Sequence, residues 1–178
     1  MNQSEKFKLL YKIYKLKYKQ TKFGKPLYSF NNVYAYSNKS SDFISDELNY
    51  YNGHFTGIKW QCVEYARRYL QTVFNVTFSQ VESAYEIPNA IFTTLTDNKI
   101  IKPTITNTNH SLFNNGYTRS SLIIWAKDYE HDTPHGHVAV IVSVNKDGIY
   151  LAEQNYNNDN HYRYIPYNNI KNVTIISL

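Results

Sequence analysis

Cys62 is the only cysteine in the chain, and it lies in the run Gly57-Ile58-Lys59-Trp60-Gln61-Cys62-Val63-Glu64-Tyr65-Ala66-Arg67-Arg68-Tyr69-Leu70. The helix-forming residues after it place the thiol at or near a helix start. There the aligned peptide dipoles favour thiolate over thiol and can bring a cysteine pKa down to about 3.5–7.5. A thiolate nucleophile needs an imidazole to take and return a proton, and the imidazole needs a third group to orient it. His137 and Glu153, some 75 and 90 residues downstream, are of those types. A lone cysteine is otherwise a small core hydrophobe, a lone histidine a satisfied strand-end residue and a lone glutamate a solvated carboxylate.

The elements that must position this set are legible. Ser121-Leu122-Ile123-Ile124-Trp125-Ala126-Lys127 reads as a strand. His135-Gly136-His137-Val138-Ala139-Val140-Ile141-Val142-Ser143-Val144 and Ile149-Tyr150-Leu151-Ala152-Glu153-Gln154-Asn155 read as the arms of a β-hairpin turning at Asp147-Gly148. With a three-residue loop, Lys146–Gly148, Asn145 faces Ile149. His137 and Glu153 then share a face but sit staggered, so a bulge or strong twist is needed to join them.

The stretches Lys59-Trp60-Gln61-Cys62-Val63-Glu64-Tyr65-Ala66-Arg67-Arg68, Leu122-Ile123-Ile124-Trp125, Gly136-His137-Val138-Ala139-Val140-Ile141 and Ala152-Glu153-Gln154-Asn155 resemble the CHAP amidases. These are cysteine- and histidine-dependent amidohydrolases and peptidases. More closely, the chain is similar to the amidase domain of bifunctional glutathionylspermidine synthetase/amidase and of trypanothione synthetase/amidase. The resemblance runs over roughly residues 24–178. It implies an α+β, papain-like fold, with a helix bearing Cys62 packed on an antiparallel sheet bearing His137 and Glu153. It also implies Cys62 as nucleophile, His137 as base, Glu153 as orienting carboxylate and Asn155 as a fourth polar position. The Cys62 backbone N–H, helped by Gln61, would hold the oxyanion. Arg67 falls on a position that lines the substrate cleft in relatives; its plain alternative is a helix-surface salt bridge with Glu64 at i, i+3.

The reaction so implied is amide hydrolysis through an acyl-thioester on Cys62. The leading substrate is a peptide–polyamine amide, glutathionylspermidine, giving glutathione and spermidine, with no cofactor. The rivals are a peptidoglycan amidase or endopeptidase, and a non-enzymatic binding or redox-sensing module. The relatives' ATP-grasp synthetase has no counterpart within these 178 residues, and there is no glycine-rich phosphate loop, so amide synthesis is not expected.

Charge is unevenly spread. The first 25 residues hold eight lysines and one glutamate, whereas the rest hold eleven basic and thirteen acidic residues. Residues 1–23 read as a basic amphipathic leader helix, with Phe7, Leu10, Tyr11, Tyr14 and Tyr18 on one stripe, and 24–178 as the amidase domain. The leader packs on the domain or meets an acidic partner or an anionic membrane surface. The slightly acidic body argues against nucleic-acid binding and suits a polyamine. No apolar run reaches the roughly 20 residues that span a bilayer, and no signal peptide is visible, so a cytoplasmic location is expected. His131, His135 and His137 cluster in sequence but lack a metal-binding motif, so no metal is expected. Thr93–Asn115 reads as a long surface loop.

Overall fold

The computed structural model describes residues 22–108, 119–128, 133–157 and 160–178. The basic leader thus lies outside the described residues except for Lys22 and Phe23. The architecture is α+β, mostly antiparallel sheet with few helices. Two hairpins come first: β1 (Pro26–Phe30) with β2 (Val33–Tyr36), then β3 (Leu48–Tyr51) with β4 (His54–Ile58). Helix α1 (Cys62–Phe74) follows, then β5 (Val76–Phe78), a 3-10 helix (Ala84–Asn89), β6 (Phe92–Thr94) and β7 (Ile100–Ile101). The main sheet contains β8 (Thr104–Thr108), β9 (Leu122–Trp125), β10 (His137–Val144), β11 (Gly148–Tyr156), β12 (Asn160–Pro166) and β13 (Val173–Ser177). Its order is β12-β11-β10-β9-β13-β8, antiparallel throughout.

Helix α1 lies against β10 and β11. Tyr65, Ala66, Tyr69 and Leu70, spaced as one helical stripe, are almost fully buried against Leu122, Ile124, Val138, Val140, Val142 and Ala152. Each such large side chain removed from water stabilises by about 1.5–3 kcal/mol. The alternate residues of the same strands, Ile123, Ala139, Ile141, Ile149 and Leu151, enter a second core with Ile165, Ile170 and Val173. The central strands are therefore buried on both faces, which explains their near-continuous runs of apolar, largely β-branched residues. The helix ends at Asn75, whose left-handed backbone (φ 57°) directs its N–H to the Leu70 carbonyl.

Two expectations are corrected. Thr93–Asn115 is not one long loop: β6 ends in it, and β7 and β8 lie within it. In Thr104-Ile105-Thr106-Asn107-Thr108, β-branched residues suit an edge strand, and β8 pairs with β13. The β10–β11 turn is also tighter than the three-residue loop. The Asn145 N–H donates to the Gly148 carbonyl (2.8 Å), which leaves Lys146-Asp147 at the tip. Val144 pairs with Ile149 and Ser143 with Tyr150, a register that would send His137 and Glu153 to opposite faces. A bulge at Val142 shifts the pairing by one residue, to Ile141–Leu151 and Val140–Ala152, and returns the two to one face.

Among the described residues, no helix is long and apolar enough to cross a membrane.

Candidate active site

Cys62 is the first residue of α1, half-buried at the helix start. Gln61 precedes it with extended backbone and makes no side-chain cap, so the Cys62 N–H is among the amides that the helix leaves unpaired. Gly57, just upstream on β4, has φ 147°, and a Cβ there would come within 3.0 Å of the Glu64 Cβ. Only glycine lets that strand approach α1 so closely.

His137 opens β10. Gly136 before it has φ 63°, and a Cβ would sit 2.5 Å from the Trp125 carbonyl, so glycine fixes the entry into the strand. The imidazole packs on Trp125 and Tyr156, at centroid distances of 5.8 and 5.1 Å. Its Nε2 bonds Glu153 Oε2 at 2.8 Å, and Glu153 is fully buried. That leaves Nδ1 as the nitrogen open to Cys62, which lines the same cavity. The expected stagger between His137 and Glu153 is closed by the bulge at Val142 and by a second irregularity near Asn155, where φ is 57° and the β11–β12 register shifts.

The charges support one another. Burial works against a Cys62 thiolate, but the hydrogen bond and charge of His137, with the Val138 and Val63 backbone N–H groups, outweigh it and hold the thiol below its ordinary range. Burial likewise opposes an imidazolium, yet Cys62 and Glu153 push His137 up to about 9. Burial would raise Glu153, but His137 and Arg163 hold it below the usual carboxylate value. At neutral pH the arrangement favours thiolate beside imidazolium, which is the state that can attack a carbonyl and then protonate a leaving group.

Amides fasten the neighbouring loop. Asn155 donates to Gln61 Oε1 (2.8 Å) and accepts from Asn38 Nδ2 (3.0 Å), and Gln61 Nε2 donates to the Phe43 carbonyl (3.0 Å) and to Asn38 Oδ1 (3.4 Å). Gln61, next to Cys62, thus has its side-chain N–H groups directed into the loop and its oxygen on Asn155. The salt bridge weighed for Arg67 is corrected. Glu64 pairs instead with Arg68 at i, i+4 (2.6 and 3.2 Å), on the same helix face. Arg67 is buried, donates to the carbonyls of Thr56 (2.6 Å), Phe78 (3.2 Å) and Ser79 (3.1 Å), and its guanidinium lies over Phe78. Burial draws it down to about 10, so it stays charged at pH 7.

Two cavities meet at the thiol, sharing Ile44, Gln61, Cys62 and His135. One, about 280 Å³, extends over Arg67, Val81 and Glu82. The other, about 410 Å³, is bounded by His137, Asp42, Asn155 and Tyr156. His135 is tied through Nδ1 to Ser83 Oγ (3.0 Å) and does not join His137. His131 lies outside the described residues. Among the described residues, no group of three or more His, Cys, Asp or Glu side chains could hold a metal ion.

The sequence reading missed Arg163 and Gln154. Arg163 on β12 forks onto both Glu153 oxygens. Its Nε bonds Oε1 closely and its Nη2 bonds Oε2 at 3.2 Å. Its one signal was a lone charge between tyrosines in Tyr162-Arg163-Tyr164, and only the β11–β12 register reveals its partner. Gln154 points the other way from Glu153, donating to the Gln61 carbonyl (3.1 Å) and to Glu64 (2.9 Å) beneath the start of α1.

Residues 50–155 match the CHAP domain. The chain belongs to the CHAP family. Membership of it, together with the amidases among its relatives, makes the chain a hydrolase acting on amide bonds. It is 38% identical over 111 residues to the bifunctional glutathionylspermidine synthetase/amidase of Escherichia coli (strain K12), a match covering 60% of this chain and 17% of that protein. It is 30% identical over 101 residues to the glutathionylspermidine synthase of Crithidia fasciculata, covering 56% and 14%. The chain thus spans less than a fifth of the length of these relatives. Among solved structures it is similar to Ly7917, at 17% identity and a TM-score of 0.44, over 66% of this chain and 53% of that one.

Proposed function

We propose that this domain hydrolyses the amide between the glycine carboxyl of glutathione and an amine of spermidine, with Cys62 as nucleophile. The observation that carries the reading is His137, bonded through one ring nitrogen to buried Glu153 and lining the same cavity as Cys62. The names of the relatives supply the substrate. The Cys62 thiolate attacks the carbonyl carbon, and the Cys62 N–H, helped by the helix start, stabilises the oxyanion. The His137 imidazolium gives its proton to the nitrogen as the C–N bond breaks, leaving an acyl-thioester and a free amine. His137 then takes a proton from water, which attacks the thioester, releases glutathione and restores the thiolate beside the imidazolium.

The His137 side fixes the polarity of the groove. The leaving amine departs past His137 into the 410 Å³ cavity, where the exposed carboxylate of Asp42 suits a polyamine cation, and the acyl part occupies the 280 Å³ cavity. The fold is read as papain-like on the same ground. A helix starts at the thiol and packs on an antiparallel sheet whose adjacent strands carry the histidine and the glutamate, within a domain of residues 24–178. Purified protein should release free amine from glutathionylspermidine, and Cys62→Ala should not. Amine release that persists in Cys62→Ala would overturn the proposal. Release from peptidoglycan fragments alone would move the substrate to cell-wall amides.

A further inference from the structure

We infer that Arg163 is a positioning residue of this site: its guanidinium clamps Glu153 as an anion aimed at His137, so that thiolate, imidazolium, carboxylate and guanidinium form one alternating chain of charge. The inference deepens the thiol-amidase reading and rests on it only for its consequence in catalysis.

The geometry is specific. Glu153 has no exposure to solvent, so its second charge partner must come from the protein. Arg163 supplies it with a two-pronged contact, one nitrogen on each carboxylate oxygen, and Oε2 is shared between Arg163 Nη2 and His137 Nε2. A fork of this kind fixes the plane of the carboxylate as well as its charge, which a lysine cannot do. Arg163 itself lies against two aromatic rings. Its guanidinium carbon lies 3.9 Å from the centroid of Tyr156 and 5.1 Å from that of Trp125. Those same two rings flank His137. One aromatic clamp therefore sets the arginine and the imidazole together, with Glu153 between them.

Among the described residues, the charged and titratable groups around these four side chains are Cys62 from α1, His137 from β10, Glu153 and Tyr156 from β11 and Arg163 from β12, with His135 and Asp42 lining the adjoining cavity. Removing the positive charge acts in one direction whichever way Glu153 responds. If Glu153 stays ionised, the thiolate gains an uncompensated anion nearby. If Glu153 takes a proton, the imidazolium loses its support. Both make the Cys62 thiolate harder to form.

The test uses the lone cysteine, which makes thiol alkylation site-specific. The readout is the rate of reaction with iodoacetamide against pH, with folding checked by circular dichroism. Arg163→Gln should raise the midpoint by about one pH unit, and Arg163→Lys by about half of that. In a Glu153→Gln background, Arg163→Gln should add little, because the arginine acts through the carboxylate. An unmoved midpoint in folded Arg163→Gln overturns the inference, as does a full shift that persists without Glu153. If Arg163→Gln does not fold, Arg163→Lys decides: a raised midpoint supports the fork and an unchanged one overturns it. Alkylation needs no substrate, so this outcome is separate from whether glutathionylspermidine is cleaved.

Discussion

Two buried glutamates, Glu64 and Glu153, each lie fully out of solvent and each is clasped by an arginine fork, yet they are built for different ends. Glu64 accepts from Arg68, Asn49 (2.8 Å), Thr56 (3.1 Å) and Gln154 (2.9 Å). Its donors come from α1, β3, β4 and β11, so one carboxylate ties the helix that carries Cys62 to three strands. None of those donors is an imidazole. Glu153 has fewer partners, and one is an imidazole that shares a cavity with the Cys62 thiol. The same carboxylate–guanidinium unit thus locks structure at one place and tunes a proton at the other. The difference is the single histidine.

The comparison breaks most sharply at Glu64. Glu64→Gln strands the Arg68 charge in the interior and should cost about 3–5 kcal/mol of stability, read by denaturant unfolding. The fraction that stays folded should keep near-normal Cys62 reactivity. A stable Glu64→Gln protein with an unreactive thiol would reverse the two roles. At Glu153 the effect should fall on rate. Glu153→Gln should lower amide hydrolysis roughly a hundredfold. In the wild type, Cys62 and Glu153 push His137 up to about 9, so hydrolysis should fall above that pH as the acid for the leaving amine is lost. Glu153→Gln removes a charge that raises His137, so its basic limb should move to lower pH. A limb that stays in place would remove Glu153 from the proton path. The smallest effect belongs to the groove rim. Asp42→Asn should raise KM for a polyamine amide about two- to fivefold with kcat little changed, as expected for an exposed charge pair.

Much of this was legible in the sequence because it is local. The helix start at Cys62, the strand opened by Gly136-His137 and the apolar arms of β10 and β11 follow from residue type and spacing. What was not legible depends on register. The turn at Lys146-Asp147 and the bulge at Val142 each move the pairing by one residue; either alone would part His137 and Glu153, and together they keep them on one face. Arg163 escaped for the same reason, since its tie to Glu153 depends on how β12 pairs with β11. Arg67 and Arg68 are adjacent, and which of them meets Glu64 was settled by helical geometry favouring i, i+4 and by the carbonyls of Thr56, Phe78 and Ser79 that draw Arg67 away.

Everything proposed for this site depends on His137 holding Cys62 as a thiolate at neutral pH. Iodoacetamide alkylation of the wild-type chain, followed from about pH 4 to 10 beside His137→Ala, tests it directly. The wild-type midpoint should lie well below the ordinary thiol value of about 8.5 and return towards that value or above it when His137 is removed. A wild-type midpoint near 8.5, unmoved by His137→Ala, would contradict it.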